Sequence, residues 1–317
     1  MLKKLRLNIS PLFGLLLLAL SAWAIAHQLR EYNYHDILNS IAAIPKKRSI
    51  RAIGLTALGY LTMIGYDILG FAYIHRSLNW RKIALTNFIS SSFSNTIGFA
   101  LLTGSAIRYR FYSRWQVSRL AIAQIIAFVN FTFWLGMFAI AGLIFLINPL
   151  IIPPQLHLPF NTVLPLGVMC LGLVIVYVLG SIVIKHPLII HRHELRFPNF
   201  YVSLAQIAVS SLDWALAAAV LYTLLPANIA LSYIDFLGMY LLAMFTGLVS
   251  NVPGGLGVFE TVILLIFPPP VSAAAVLGSM LAYRGVYYFI PLLLATSLLA
   301  FDQITSVTRK SINHEDC

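Results

Sequence analysis

Four charged residues interrupt apolar stretches of this chain. They are Asp67 in "IGYDILG", Asp213 in "SSLDWAL", Glu260 in "GVFE" and Arg284 in "LAYRGVYY". An Asp or Arg at the centre of a membrane helix costs at least about 2.5 kcal/mol, so we expect these four buried charges to face the protein interior or a wet cavity. Such groups can couple transport to protons or contact a polar headgroup. They can also form structural ion pairs. We favour an ion pair with Arg284 for Glu260 and leave both roles open for the two aspartates.

A basic and aromatic stretch, "RYRFYSRW", occupies residues 108–115. Arginine presents a planar fork to phosphate, and tyrosine supplies hydroxyl groups at a membrane surface, so the stretch is a candidate clamp for a lipid headgroup. The alternative is ordinary anchoring at a cytoplasmic membrane edge. In a helix, Arg110 and Arg114 would share a face. The candidate headgroup residues are Asn95, Arg108, Tyr109, Arg110, Tyr112, Arg114 and Asn251.

The run "SNVPGGLGVFE" at 250–260 suits neither a regular strand nor a regular helix. Its Pro253, Gly254, Gly255 and Gly257 permit a helix break and a close approach of backbones. We interpret the run as the tip and return of a re-entrant element that lines a lipid path. The alternative is tight helix packing by small residues.

The elements that must position these residues are membrane helices. The chain has 317 residues, of which 60% are hydrophobic and 10% charged, whereas soluble domains carry about 25% charged residues. We predict an all-α polytopic membrane protein, with residues 1–317 forming one integral membrane domain of about six full spans and two interrupted, re-entrant elements. The predicted spans are 11–28, 50–75, 120–147, 162–184, 200–224 and 271–307, and the re-entrant elements are 83–105 and 234–267. Gly285 and Pro291 interrupt the last of these spans, so residues 271–307 can divide into a short helix followed by a span.

The distribution of lysine and arginine predicts that both termini lie in the cytoplasm. The basic run at 46–51 is an exception, since it falls on the outside. Two similar strings, "SNTIG" at 94–98 and "SNVPG" at 250–254, each follow a long helix that carries an aspartate. This order indicates a possible inverted repeat, in which two broken helices meet near the membrane midplane.

Two stretches of the chain resemble a known protein family. The strings "NTIGFALLTGSAIRYRFYSRW" at 95–115 and "SNVPGGLGVFE" at 250–260 resemble the membrane region of bacterial lysylphosphatidylglycerol synthases and its stand-alone, flippase-like relatives. The resemblance implies a multi-pass protein of the bacterial inner membrane, with a membrane part that moves aminoacylated phosphatidylglycerol across the bilayer. In the full enzymes it implies a cytosolic domain that takes lysine or alanine from charged tRNA. Because only "SINHEDC" follows Lys310, synthase activity is not expected of this chain.

The leading hypothesis is therefore a flippase or carrier for anionic or aminoacylated phospholipids. One alternative is the membrane subunit of a lipid-modifying enzyme whose catalytic domain lies on a separate chain, and another is a scaffold that binds anionic lipids. Membrane phospholipids are the expected partners, and the oligomeric state is left open. The net charge of +11 follows from basic cytoplasmic loops, so we expect no nucleic-acid partner.

We expect no catalytic residues, no cofactor and no metal site. The loop at 185–196 does bring several histidines close to a glutamate. However, its basic residues would repel a cation. The histidine cluster comprises His186, His191, His193 and Glu194, and the basic residues are Lys185, Arg192 and Arg196.

Overall fold

The computed structural model describes residues 34–97, 100–152, 160–184, 188–190, 193–195, 197–226, 229–250, 255, 257–268 and 271–315. Helices dominate these residues. In chain order they are α1 (Tyr34–Ala42), α2 (Lys46–Tyr73), α3 (Trp80–Ile97), α4 (Ala100–Arg114), α5 (Arg119–Ile147), α6 (Leu164–Val183), α7 (Phe200–Leu224), α8 (Tyr233–Val249), α9 (Val258–Ile266), α10 (Ala273–Tyr283) and α11 (Ile290–Glu315). A π-helical segment (Arg284–Phe289) joins α10 to α11, and two three-residue strands, β1 (Leu188–Ile190) and β2 (His193–Leu195), form an antiparallel hairpin between α6 and α7.

Five of these stretches are long and apolar enough to cross a membrane: α2, α5, α6, α7 and the continuous stretch Ala273–Gln303. Their outer faces are apolar, as on α6, where Val176 and Val183 are 68% and 75% exposed. Monomeric soluble proteins rarely expose large apolar surfaces of this kind. The all-α, multi-pass membrane fold is thereby confirmed, and the span predicted at 11–28 lies outside the described residues.

Each of the two interrupted regions contains a pair of helices. The region at 83–105 falls on α3 and α4, and the region at 234–267 falls on α8 and α9. The two helices of each pair pack side by side, with Gly104 of α4 against Ser94 of α3 and Gly247 of α8 close to Gly255. Residues 98–99 and 251–254, which follow the first helix of each pair in the sequence, lie outside the described residues. The re-entrant placement of these pairs in the bilayer stays a prediction.

The long helices α2 and α7 form the centre of the bundle. The N-terminal Arg48 of α2 donates a hydrogen bond to the carbonyl of Leu225, at the C-terminal end of α7, at 2.5 Å. Farther along α2, Gly59 faces Leu216 of α7. Because the residue number rises along one helix while it falls along the other, the two helices are antiparallel.

The remaining helices pack around this central pair. α5 packs against α6, α7 and α8, whereas α11 packs against α3, and α10 contacts α1 and α7. Side-chain oxygens define where several helices begin, because each accepts a hydrogen bond from an otherwise unpaired backbone N–H of the first turn. These N-caps are Ser118 of α5, Asn199 of α7, Ser232 of α8 and Ser272 of α10.

The predicted interruption of the last span falls at the π-helical segment, which lies between the short α10 and the long α11. The backbone stays helical from Ala273 through this segment into α11. The N–H of Ile290 bonds the carbonyl of Gly285, five residues earlier. Pro291 has no N–H for the carbonyl of Tyr287, four residues earlier. The hydroxyl of Tyr60 on α2 donates to that carbonyl at 3.3 Å. The missing backbone donor is thus replaced by a side chain.

The close approach of α5 and α7 predicts the effect of a small substitution. A Cβ atom added at Gly136 would lie 2.2 Å from the Cβ of Ser210 and 2.6 Å from its carbonyl carbon. Since a backbone atom cannot rotate away, Gly136→Ala should push the helices apart and destabilise the fold by about 1–3 kcal/mol. Thermal unfolding of the purified protein in detergent should show a lower midpoint.

Gly172→Ala on α6 is the matched control, because among the described residues no atom lies within 4 Å of a Cβ built there. That variant should unfold at the wild-type midpoint or slightly above it, since alanine is the better helix former. Equal midpoints for the two variants would contradict the tight packing of α5 on α7.

Candidate functional site

The first charged centre joins α2 to α4. Arg108 donates from Nε to Oδ1 of Asp67 at 2.9 Å and from Nη2 to Oδ2 at 2.8 Å. Both residues are buried, Asp67 completely. Tyr112, one helical turn after Arg108, donates its hydroxyl to Oδ1 at 2.7 Å, and Asn87 of α3 donates to Oδ2 at 2.6 Å. The Asp67 carboxylate is therefore neutralised by a bidentate partner and hydrogen-bonded on both oxygens.

This arrangement divides the basic and aromatic stretch into two faces. Arg108 and Tyr112 are buried inside the protein, where both bond Asp67, and are not exposed on the surface of α4. Tyr109 and Arg110 are exposed. Arg114 is also at the surface, where it pairs with Asp302 of α11 at 2.9 Å. Because residues four apart share a face of a helix, Arg108 and Tyr112 both point inward, while Arg110 and Arg114 both lie on the outer face.

The second centre is Asp213, in the middle of α7. Its side chain is buried, and Oδ2 accepts a hydrogen bond from the hydroxyl of Tyr66 at 2.8 Å. The other oxygen, Oδ1, has no hydrogen-bond partner among the described residues. Tyr66 immediately precedes Asp67, so neighbouring residues of α2 serve the two aspartates. Asp213 differs from Asp67 because no described cation pairs with it.

The third centre joins α9 to the π-helical segment. Oε1 of Glu260 accepts hydrogen bonds from Nε and Nη2 of Arg284 at 2.7 and 2.5 Å. Its Oε2 accepts from the backbone N–H of Gly257 at 2.9 Å, which caps the start of α9. Gly255 and Gly257 both have positive φ, 61° and 84°, a backbone conformation that favours glycine. Two glycines of the predicted break thus shape the turn that brings Glu260 to Arg284.

Other candidates from the sequence are placed differently. Asn95 on α3 is half-buried, and its amide contacts the sulfur of Met63 at 3.8 Å. Asn251, Pro253 and Gly254 lie outside the described residues. No group of three histidine, cysteine, aspartate or glutamate residues in the described part of the chain is arranged to hold a metal ion. Of the predicted histidine cluster, His186 and His191 lie outside that part.

A cluster of tyrosines, which sequence reasoning missed, lies between the second and third centres. This tyrosine seam consists of Tyr60, Tyr240, Tyr283, Tyr287 and Tyr288. The hydroxyls of Tyr240 and Tyr283 are hydrogen-bonded at 2.8 Å, and the Tyr283 and Tyr287 rings stack at 5.2 Å. Asp213 lies close enough to Tyr60, Tyr240 and Tyr287 to interact with them electrostatically. At the other end, Arg284 lies over the Tyr288 ring at 6.0 Å. The spacing of Tyr283 and Tyr287, one helical turn apart, was the available signal.

The three centres occupy successive depths in the bundle. Ser279 of α10 hydrogen-bonds the carbonyl of Leu224 at the end of α7, and Arg284 lies five residues, or about 8 Å, beyond that level. Asp213 lies eleven residues, or about 16 Å, from Leu224 along α7. Asp67 lies farther still, about 12 Å beyond Gly59, which faces Leu216. Together with the tyrosine seam, the centres form a file of polar groups through an apolar bundle.

Comparison with known proteins identifies the family. The sequence profile of the lysylphosphatidylglycerol synthase TM region matches residues 12–295. The chain belongs to this family. The resemblance seen in the two sequence strings is thus confirmed over most of the chain.

Two relatives are matched along most of their length. One is the uncharacterized protein slr0712 of Synechocystis, 45% identical over 290 residues, which cover 91% of this chain and 90% of the relative. Another is the inner membrane protein YbhN of Escherichia coli, 31% identical over 84% of this chain and 83% of the relative. A phosphatidylglycerol lysyltransferase of Staphylococcus aureus is 26% identical over 89% of this chain, and the match covers 32% of that enzyme.

The first centre predicts a large difference between two carboxylate substitutions. Asp67→Asn leaves the buried Arg108 without its counter-charge and should destabilise the protein by about 3–5 kcal/mol. Asp302→Asn removes the carboxylate that pairs with Arg114 at the surface and should cost less than about 1 kcal/mol. Thermal unfolding and size-exclusion profiles in detergent would measure both effects.

The double variant Asp67→Asn, Arg108→Gln removes both buried charges and should recover part of the stability that Asp67→Asn loses. A similar unfolding midpoint for Asp67→Asn and Asp302→Asn would show that the buried pair does not stabilise the fold as described.

Proposed function

We propose that this protein is a phospholipid carrier, or flippase, of the bacterial inner membrane, which moves anionic or aminoacylated phospholipids between the two leaflets. The observation that carries the proposal is the file of buried charges and hydroxyls formed by the three centres and the tyrosine seam. Buried ion pairs are often no more stabilising than apolar residues of the same size. Stability alone therefore gives little reason for such a file, whereas a polar headgroup that crosses the bilayer needs one.

The two buried arginines suggest how a headgroup is accepted. Arg108 and Arg284 are each held by a carboxylate through two hydrogen bonds. A phosphate oxygen pair matches the guanidinium fork in the same way. A headgroup phosphate can therefore replace Asp67 or Glu260 as the partner of its arginine, so the arginine keeps an anionic partner throughout.

Asp213 suggests how a positive headgroup is accepted. Its Oδ1 has no partner among the described residues, and no described cation neutralises it. The ammonium group of an aminoacylated lipid would supply both a charge and hydrogen-bond donors at this position. The phosphate and the amine of one headgroup would then be bound by an arginine and by Asp213.

The packing of the two halves, α2 to α5 and α7 to α11, supports alternating access. Helices α2 and α7 are antiparallel, and each is followed by a helical pair. The helix after the first pair, α5, packs against α8 of the second pair, while α11 packs against α3 of the first pair. Such reciprocal packing is expected of an inverted repeat, in which one half rocks against the other around a central site. The acyl tails would remain in the surrounding bilayer.

The names of two relatives suggest which membrane this protein occupies and which class of lipid it moves. The Escherichia coli relative is described as an inner membrane protein, and the Staphylococcus aureus relative as a phosphatidylglycerol lysyltransferase. We extend the inner membrane and phosphatidylglycerol-type lipids to this chain. We also keep the proposed orientation with cytoplasmic termini, in which residues 108–114 lie at the cytoplasmic edge and the start of α2 at the opposite one.

Asp213→Asn tests the proposal directly. The amide keeps the shape of the side chain but removes the charge, so transfer of fluorescent aminoacylated phosphatidylglycerol between leaflets of liposomes should fall by about tenfold or more. Stability should be equal to or higher than that of the wild type, because an unpaired buried charge disappears. A dithionite-quenching assay on reconstituted full-length protein would measure the transfer.

Asp302→Asn is the matched control, since it makes the same chemical change at the surface and should leave transfer unchanged. Absence of leaflet transfer by the wild type, above that of empty liposomes and across anionic and aminoacylated lipids, would refute the carrier. Equal transfer by wild type and Asp213→Asn would refute the role of Asp213.

A second candidate function is suggested by the Staphylococcus aureus relative, in which the matching region is part of a larger lysyltransferase. Under this second hypothesis, the chain is the membrane subunit of a lipid-modifying enzyme whose catalytic domain is a separate protein. Transfer by the purified chain alone would favour the carrier. Transfer that appears only with a co-purified soluble transferase would favour the subunit.

A further inference from the structure

The proposed transport route does not use a basic cavity at the start of α2. The cavity has a volume of about 240 Å³ and lies between the first turns of α2 and the C-terminal end of α7. Arg48 and Arg51 line it from α2, while Tyr222, Leu225 and Pro226 line it from the other side. None of the described residues that line it is acidic.

The cavity is electropositive for two independent reasons. First, Arg48 and Arg51 are three residues apart and share a face of α2; in the described part of the chain neither takes part in an ion pair. Second, α2 begins at Pro45 without a capping side chain and without an acidic residue in its first turn. The positive end of the helix dipole is therefore not offset by a local carboxylate.

The two arginines are also held in a defined position. Arg48 is half-buried, and its Nη1 donates to the carbonyl of Leu225 at 2.5 Å, which fixes the guanidinium while leaving its other N–H groups for a ligand. Arg51 is exposed and can close over an anion. In contrast, the hydroxyl of Tyr222 already donates to the carbonyl of Leu231 at 2.8 Å. The hydroxyl of Thr223, which also lines the cavity, donates to the carbonyl of Ala219 at 2.7 Å. Among the described side chains of the lining, the arginine N–H groups are thus the donors that remain for a ligand.

The surroundings indicate a lipid. The cavity lies where two membrane-spanning helices end, the level at which phospholipid phosphates are found. Ile50 and Ile53, next to the arginines on α2, are 68% and 48% exposed, so apolar surface for acyl chains adjoins the basic cavity. Drug-sized ligands fill clefts of about 300–1,000 Å³. The smaller cavity here suits a headgroup rather than a whole lipid.

We propose that Arg48 and Arg51 form a docking site for the phosphodiester of an anionic phospholipid, at the membrane face opposite to the Asp67–Arg108 pair. This inference deepens the proposed function and rests on it for the role of the site: the site would collect or release the lipid at one end of the route. It also gives a physical reason for the basic run at 46–51, which positive-inside placement leaves unexplained.

Binding to the purified full-length protein tests the site. Microscale thermophoresis in detergent would compare dioctanoyl phosphatidylglycerol, dioctanoyl phosphatidylcholine and inorganic phosphate. The anionic lipid should bind at least tenfold more tightly than the other two. Arg51→Gln should weaken its binding by about tenfold, while Lys47→Gln, which removes the same charge one residue before Arg48 but does not line the cavity, should change it less than about twofold. Because Arg51 is exposed, its substitution should leave the unfolding midpoint unchanged.

Three outcomes would overturn the docking site. These are wild-type affinity in Arg51→Gln, an equal loss in Arg51→Gln and Lys47→Gln, and inorganic phosphate that binds as tightly as the lipid with the same dependence on Arg51. The last would assign the cavity to free phosphate. Leaflet transfer, measured in parallel, separates this proposal from the carrier function. Binding that depends on Arg51 without any transfer would support the site and refute the carrier, and transfer with unaltered binding in Arg51→Gln would do the reverse.

Discussion

The carboxylate of Asp67 has to be neutralised inside an apolar bundle, and much of the first half of the protein is arranged to do so. Arg108 supplies the charge, while Tyr112 and Asn87 supply the remaining donors, so that one side chain of α2 is bonded to both α3 and α4. Removing water from a charge costs several kcal/mol unless the protein replaces each hydrogen bond. The positions of α3 and α4 relative to α2 are therefore set by a polar contact, around which apolar residues complete the packing.

Asp213 lies on the corresponding helix of the second half, but its carboxylate has fewer bonding partners than that of Asp67. It receives one hydrogen bond, from Tyr66, and its other oxygen has no partner among the described residues. The second half has its own buried ion pair, but Glu260 and Arg284 form it away from the aspartate helix. The two halves thus share an order of elements without sharing an electrostatic pattern. A carrier benefits from this difference, since a fully neutralised aspartate stabilises the fold while an incompletely bonded one can bind a ligand.

Part of this arrangement could be predicted from the sequence and part could not. Lipid cannot solvate a charged side chain, so a charge in an apolar stretch is expected to face the protein interior. The free-energy cost of placing a charge in lipid is therefore enough to predict that Asp67, Asp213 and Glu260 are buried in the protein. The pairing of Glu260 with Arg284 was one of two alternatives. By contrast, Arg108 could not be distinguished from Arg110, because the sequence does not specify which face of α4 meets α2. The tyrosine seam could not be predicted, because tyrosines are also common at membrane surfaces and the sequence does not show which of them are buried. Pro291 indicated a break, but Tyr60, distant in sequence, replaces the missing donor.

The interior polar contacts also differ in strength according to whether they lie within a half or between halves. The buried ion pairs Asp67–Arg108 and Glu260–Arg284 each lie within one half. Between the halves, the interior polar contacts of the described residues are hydrogen bonds rather than ion pairs. They include Tyr66 to Asp213, Tyr60 to the carbonyl of Tyr287 and Gln206 to Thr132. A hydrogen bond between neutral groups contributes about 0.5–1.5 kcal/mol, and one to a charged group about 1.5–3 kcal/mol. Breaking a buried ion pair costs about 3–5 kcal/mol. If the halves move against each other, the contacts that break are the weak ones, and each half keeps its own charges neutralised. Tyr66 would then release Asp213 at the same moment as the central route opens.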